Sequence, residues 1–326
     1  MTTMRALVYD RYGPPEQVLR LEQMPRPQPG PGEVLVRVHA ASVNSWDWDR
    51  LVGRPLGRID APFRPPFRIL GADIAGIVEA IGPDVTTLAI GDAVFGDLTA
   101  GKWGGFADYV CAPARTLALK PETLSFQHAA ALPQAGLLAH EALKLRPGLG
   151  AGQRVLVVGA GGGAGLFAVQ MARATGAAVT GVDRGLKGPA VLAHGADHFI
   201  DHQRDDFSRS GARYDFVIDM VGSQTVFGYR RALAEGGTLA LVGGSLGRIL
   251  QVVALGNLVG RARQQRMGLA IYQPKTADLD HLAALATAGV ITPVIDSVFP
   301  LEQGAAALRR IGGGDHVGKI IVEMTA

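Results

Sequence analysis

The chain has 326 residues, 48% apolar and 19% charged, with 44 glycines, one cysteine and a formal net charge of +3. That length is long for a single core and suits two domains. No run of about 18 apolar residues is present, so a membrane-spanning helix is not expected, and the opening MTTMRALVYD lacks the apolar segment of a secretory signal. Cys111 stands alone, which excludes an internal disulfide and a multi-cysteine metal site and fits a reducing, cytoplasmic setting. The basic residues are scattered apart from Arg261, Arg263 and Arg266. A solvated face or a phosphate contact accounts for that trio, and no nucleic-acid or membrane partner is expected.

In chain order, residues 1–125 read as β-rich. Residues 4–9 form a first strand, and a proline-rich connector follows at 25–31. Residues 33–41 alternate, with Val34, Val36 and Val38 on one face, as a half-buried strand does. Residues 74–81 and 93–95 are further strands, separated by Gly-Pro and Gly-Asp turns, and together they suggest a barrel-like sheet. From about residue 125 the pattern changes. Residues 126–145 are rich in alanine and leucine and broken at Pro133 and Gly136. Strands are predicted at 155–158, 178–182, 216–221 and 237–243, and a helix at 166–175. A helix at 278–288 and strands at 291–299 and 319–323 complete the chain. Strands alternating with helices predict a parallel sheet covered on both faces, with ligands at the carboxyl ends of the strands.

One stretch carries specific chemistry. The valine-rich strand 155–158 leads into Gly159, Ala160, Gly161, Gly162, Gly163, Ala164 and Gly165, then a helix, a second strand and Asp183. Glycines let the backbone turn sharply and let a pyrophosphate approach it. The helix N-terminus adds free N–H groups and a positive dipole end, and an acid about 20 residues on can bind ribose hydroxyls. The order strand, glycine turn, helix, strand, acid therefore predicts a dinucleotide-binding unit. Val221 and the run Gly243-Gly244-Ser245 lie at the ends of later strands and join the predicted cofactor site.

Gly152-Gln153, Leu156, Ala160 to Gly163, Gly165, Gln170 and Arg173 match the signature of the quinone oxidoreductase branch of the medium-chain dehydrogenase/reductases, which the chain resembles. Gly71 to Val78 is similar to that family's Gly-His-Glu segment. Gly91-Asp92-Ala93-Val94 and Gly105 to Tyr109 match later landmarks. The resemblance spans nearly the whole chain. It implies an α/β protein: a GroES-like β-rich catalytic domain over 1–125, a Rossmann doubly wound parallel-sheet domain binding NAD(P) over 126–268, and a C-terminal return to the catalytic domain over 269–326. A homodimer is carried over in the same way.

Zinc-dependent relatives hold their metal at positions that here read Asn44, Ala72 and the neighbourhood of Gln134-Ala135. Amides and methyls do not replace thiolate and imidazole, so no zinc is expected. His198 and His202 are four apart but flank a strand end, which does not set them on one side of a helix. Without a metal to stabilise an alkoxide, the expected reaction is hydride transfer from NAD(P)H to a quinone, enone or enal. The alternatives are a zinc-independent alcohol dehydrogenase or ketone reductase, and a low-turnover NADPH-binding sensor or RNA-binding protein.

Further residue roles follow from the resemblance. Asn44, in Asn44-Ser45-Trp46-Asp47-Trp48, sits where relatives carry an asparagine beside the nicotinamide ribose; it is expected to position that ring and to hydrogen-bond a developing oxyanion, with a turn-forming role as the alternative. Trp48 is the candidate wall of an apolar pocket, and Asp73 is either a site acid or a buried structural one. Leu138 replaces a threonine near the nicotinamide, and His202 replaces a tyrosine that flanks the cofactor. Asp183 favours NAD(H), whereas Arg184 and Lys187 offer contacts to a 2′-phosphate; relatives tilt the expectation slightly to NADP(H).

Overall fold

The computed structural model describes residues 2–324. The chain divides into two compact units: Met1–Gln134 with Gln273–Gly289 and Pro293–Ala326, and Ala135–Tyr272 with Val290–Thr292.

The first stretch contains β1 (Thr3–Val8), α1 (Pro15–Val18), β2 (Arg20–Pro25), β3 (Glu33–Val43), α2 (Ser45–Val52), β4 (Asp73–Ile81), β5 (Ala93–Asp97), β6 (Tyr109–Pro113), β7 (Leu117–Leu119) and α3 (Phe126–Ala131). The long strand β3 takes its place from alternation: Val34, Val36 and Val38 are buried together with Ile74, Val78 and Val94 from the neighbouring strands. The chain then enters the second unit through α4 (Pro133–Lys144), whose first residue is a proline that needs no donor partner there. Gly136 does not break this helix.

The second unit runs β8 (Arg154–Val158), α5 (Gly163–Ala174), β9 (Ala178–Asp183), α6 (Gly188–Ala193), β10 (His198–Asp201), β11 (Tyr214–Asp219), α7 (Val226–Ala232), β12 (Leu233–Leu241), α8 (Leu246–Gly260) and β13 (Arg266–Leu269). Its sheet order is β10-β9-β8-β11-β12-β13, with every neighbouring pair parallel. Strand order reverses between β8 and β11, which is where such sheets bind nucleotides. α8 occupies a segment that sequence reasoning left without structure. It is apolar on most sides, so it shows no helical stripe, and Gly256 lets it lie against Met267 of β13.

The tail returns to the first unit as α9 (Thr276–Thr287), β14 (Ile295–Pro300), α10 (Gly304–Gly313) and β15 (Lys319–Glu323). β15 pairs with β3 and β14, completing the order β14-β15-β3-β4-β5-β7, with β6 also on β3. The first unit extends to Gln134 rather than ending near 125, because α3 packs on its sheet; the Phe126 ring stacks on His39 of β3 at 4.2 Å between centroids. Among the described residues, no helix is long and apolar enough to cross a membrane.

Candidate active site

In the second unit, the chain leaves β8 through Gly159, whose φ of +78° lies in the left-handed region that favours glycine. The N–H groups of Gly159 and Ala160 both donate to the Val182 carbonyl, folding the turn back on β9. A Cβ at Gly165 would stand 2.0 Å from the Gly159 carbonyl oxygen, so only glycine lets α5 approach the turn this closely. Gly162 is the N-cap of α5 and has no side chain to satisfy the first-turn N–H groups. Those donors are suited to phosphate oxygens.

Asp183 closes this corner from below. Its Oδ2 accepts the Gly161 N–H at 2.8 Å, its Oδ1 accepts the Arg184 N–H at 2.8 Å, and Lys187 Nζ lies 3.6 Å away. Asp183 is 8% exposed and Lys187 4%. The lysine stem passes so close to Gly161 that a Cβ there would meet it at 2.6 Å. On the adjacent strand Asp201 pairs in register with Asp183, and its carboxylate stands 2.6 Å from where a Cβ of Gly185 would be. Sequence reasoning missed Asp201; the signal was an acid closing the strand beside the one that ends in Asp183. Exposed His202 follows directly, and its backbone N–H donates to the Asp183 carbonyl.

The other strand ends converge on the same corner. Asp219, fully buried at the end of β11, accepts N–H bonds from Val221, Gly222 and Ser223, and hydroxyl bonds from Ser223 and Tyr229. This fixes the turn that carries Val221. Added Cβ atoms measure the crowding: at Gly159 one would meet Val221 at 3.2 Å, and at Gly222 one would meet the Gly243 carbonyl oxygen and Gly244 Cα, each at 2.8 Å. The structure therefore brings Gly159, Val221, Gly243 and Gly244 together. Ser245 instead caps α8, its hydroxyl accepting the Arg248 N–H. Leu138 is half-buried on α4.

The first unit contains a second polar cluster. Asp73, fully buried, accepts from the Ser42 hydroxyl at 3.1 Å, Asn44 Nδ2 at 2.9 Å and the Gln134 N–H at 3.2 Å, and Lys319 Nζ lies 3.5 Å away. Lys319, 4% exposed, also donates to Asn44 Oδ1. Strand pairing explains the meeting: Ser42 is opposite Asp73, and Val43 is opposite Ile320, which brings Lys319 beside Asn44. Asn44 is also the N-cap of α2, and its N–H donates to Asp47 Oδ2 at 2.8 Å; Asp47 Oδ1 accepts from Gly71 at 2.8 Å.

Burial pushes the Asp47 carboxyl up to about 7, against the pull of its two backbone donors. Desolvation raises Asp73, opposed by the Lys319 charge, and lowers Lys319, opposed by Asp73. The acceptor capacity of Asp73 is thus taken up inside the protein, as a buried structural acid would have it. Trp48, expected as a pocket wall, packs on α10, where a Cβ at Gly312 would meet its ring at 2.4 Å; Trp46 is the exposed one, at 42%. Lys319 was missed from sequence because a lone lysine opening an apolar strand reads as a solvated end.

A β-rich unit joined to a six-stranded parallel sheet with this glycine corner defines a two-domain, nucleotide-dependent dehydrogenase or reductase. Residues 30–122 match the alcohol dehydrogenase GroES-like domain, and residues 194–322 match a family described as zinc-binding dehydrogenase. The quinone-oxidoreductase QR1, chloroplastic, of Triphysaria versicolor is 32% identical, with 98% of each chain covered. The solved quinone oxidoreductase from Coxiella burnetii superposes with a TM-score of 0.88 at 29% identity, covering 99% of this chain and 100% of that one. A mycobacterial protein solved in complex with NADPH has a TM-score of 0.82 at 28% identity, covering 98% of this chain and 100% of that one. The chain belongs to the medium-chain dehydrogenase/reductase superfamily, in its quinone oxidoreductase branch.

At the positions where zinc-dependent relatives carry their ligands, the residues present do not fit a zinc ion. Asn44 and Gln134 converge on Asp73, Ala72 adjoins it, and the cation among them is the Lys319 ammonium. Amide and methyl groups are not zinc ligands.

Proposed function

We propose that the protein reduces a quinone or an α,β-unsaturated carbonyl compound with a nicotinamide nucleotide and without zinc. The observation that carries this is that the second unit holds a dinucleotide corner while, in the first unit, Asn44, Asp73 and Lys319 stand together where zinc-dependent relatives carry metal ligands. When bound, the reduced nicotinamide supplies the hydride. The glycine corner and the N-terminus of α5 hold the pyrophosphate, and Asp183 accepts from ribose hydroxyls. Asn44 donates an amide N–H to the substrate oxygen on which negative charge grows. A conjugated acceptor spreads that charge, and solvent supplies the proton. The test is oxidation of NADH and NADPH with an ortho-quinone, a para-quinone, a 2-alkenal and a simple aldehyde, alongside a metal assay. Aldehyde turnover alone, or one tightly held zinc per chain, overturns the proposal; tight nucleotide binding without any turnover points to a sensor.

NADH is the proposed cofactor, against the slight tilt of the relatives to NADPH. Two carboxylates, Asp183 and Asp201, flank the turn at Gly185, and Lys187 is already paired with the first. A 2′-phosphate brought there faces these two carboxylates, with Arg184, next in sequence to Asp183, as the cation to draw it. A higher kcat/KM with NADPH than with NADH refutes this.

A homodimer and a cytoplasmic setting belong to the same proposal. β13 is an edge strand, and α8 beside it exposes Leu250, Val253 and Leu258. Such an edge with an apolar neighbour suits a second copy.

A further inference from the structure

We infer that Lys319 and Asp73 are positioning residues that fix which end of the Asn44 carboxamide faces a ligand. The inference rests on the role proposed above for Asn44. An asparagine amide is nearly symmetric in shape, so one neighbour alone sets its orientation weakly. Here the two ends are set by opposite charges from distant parts of the chain. The Asp73 carboxylate takes a hydrogen from Nδ2 at 2.9 Å, and the Lys319 ammonium donates to Oδ1. A flipped amide would face its nitrogen to the ammonium and its oxygen to the carboxylate, two mismatches at once.

Burial makes this sorting strong. Asp73 is 0%, Lys319 4% and Asn44 5% exposed, so water does not substitute for either partner. The backbone is held too, since the Asn44 N–H is tied to Asp47 and the Asp73 carboxylate is anchored by Ser42 and Gln134. Of the two hydrogens on Asn44 Nδ2, one goes to Asp73 and the other is left for a ligand. Its direction follows from the plane that Lys319 and Asp73 impose. Lys319 therefore acts on the reaction through Asn44, without touching substrate.

The test is a double-mutant cycle of Lys319→Met and Asn44→Ala, read as kcat and KM for NADH-dependent quinone reduction, with melting curves for each variant. Lys319→Met is expected to lower kcat about 30-fold, somewhat less than deletion of a transition-state donor, while the quinone KM and NADH affinity stay within about twofold. Combined with Asn44→Ala, it adds no further loss. A folded Lys319→Met enzyme with wild-type kcat, or losses that multiply in the double variant, overturns the inference while leaving the role of Asn44 intact. An Asn44→Ala enzyme with wild-type kcat overturns that role itself, and the inference with it. If Lys319→Met does not fold because Asp73 is left buried and unpaired, Asp73→Asn replaces it in the cycle with the same outcomes.

Discussion

Two glycines of the nucleotide corner separate packing from binding. In Gly165→Ala the new methyl would lie 2.0 Å from the Gly159 carbonyl oxygen and 2.8 Å from Ala160 backbone atoms. None of these is a flexible side-chain end, so α5 must move away from the turn by more than about 1 Å to reach ordinary contact distance. Overpacking of this kind costs about 1–3 kcal/mol or more, and the gain in helix propensity returns about 1 kcal/mol. A net loss of about 2 kcal/mol corresponds to a melting point lower by about 4–8 °C for a unit of this size. In Gly162→Ala the nearest atom is the Gly159 carbonyl oxygen at 3.5 Å, and φ −80°, ψ 173° suits alanine. Its stability should change by less than about 0.5 kcal/mol. Yet the methyl stands at the cap of α5 and hinders approach to the first-turn N–H groups, so NADH affinity should fall about tenfold or more. Thermal melting and fluorescence titration with NADH check both variants. A Gly165→Ala protein that melts like wild type, or a Gly162→Ala protein that binds NADH like wild type, refutes the account of the corner.

Asp183→Ser removes one of the two carboxylates near the proposed ribose site; the ratio of kcat/KM for NADPH over NADH should rise about tenfold, and an unchanged ratio means the acid does not select the cofactor. The folded chain holds the Asp47 proton up to about pH 7, whereas the unfolded chain releases it near the ordinary carboxyl value of 3.8. Folding is therefore favoured on the acid side of that window and loses stability as pH rises through it, by an amount on the order of a few kcal/mol. Asp73 acts in the same direction, and Lys319, lowered by burial, in the opposite one at higher pH. Asp47→Asn should flatten the fall in melting point between pH 5 and 7; parallel curves for variant and wild type refute the assignment. Leu250→Glu with Leu258→Glu should yield a monomer by analytical ultracentrifugation with melting nearly unchanged, and a dimer that persists places the contact elsewhere.

Legibility in the sequence followed the reach of each signal. The nucleotide corner was readable because its parts are local: a valine strand, a glycine run and an acid lie within one short stretch, each tied to backbone geometry. β3 and β15 were readable by alternation and apolar content. α8 was not, since Leu246 to Gly260 is apolar around most of its circumference and leaves no periodic stripe. Short strands such as β7 offer too few residues for a pattern. In the polar cluster, Asn44 and Asp73 could be singled out by resemblance, but their partner is 275 positions from Asn44 and is set by sheet register. A lysine opening a strand normally ends in solvent; only the pairing of β15 with β3 draws Lys319 inside. The packing of Trp48 was hidden for a related reason, since the glycine that receives its ring lies on α10, far along the chain.

The placement of β15 has a consequence for biosynthesis. This strand lies between β14 and β3, so one flank of β3 is covered by residues made long after it. Until they emerge, Asp73 lacks its Lys319 partner, and that flank of β3 lies open. The amino-terminal part must therefore wait in an unfinished state while the nucleotide unit, continuous in sequence but for three residues, is free to fold ahead of it.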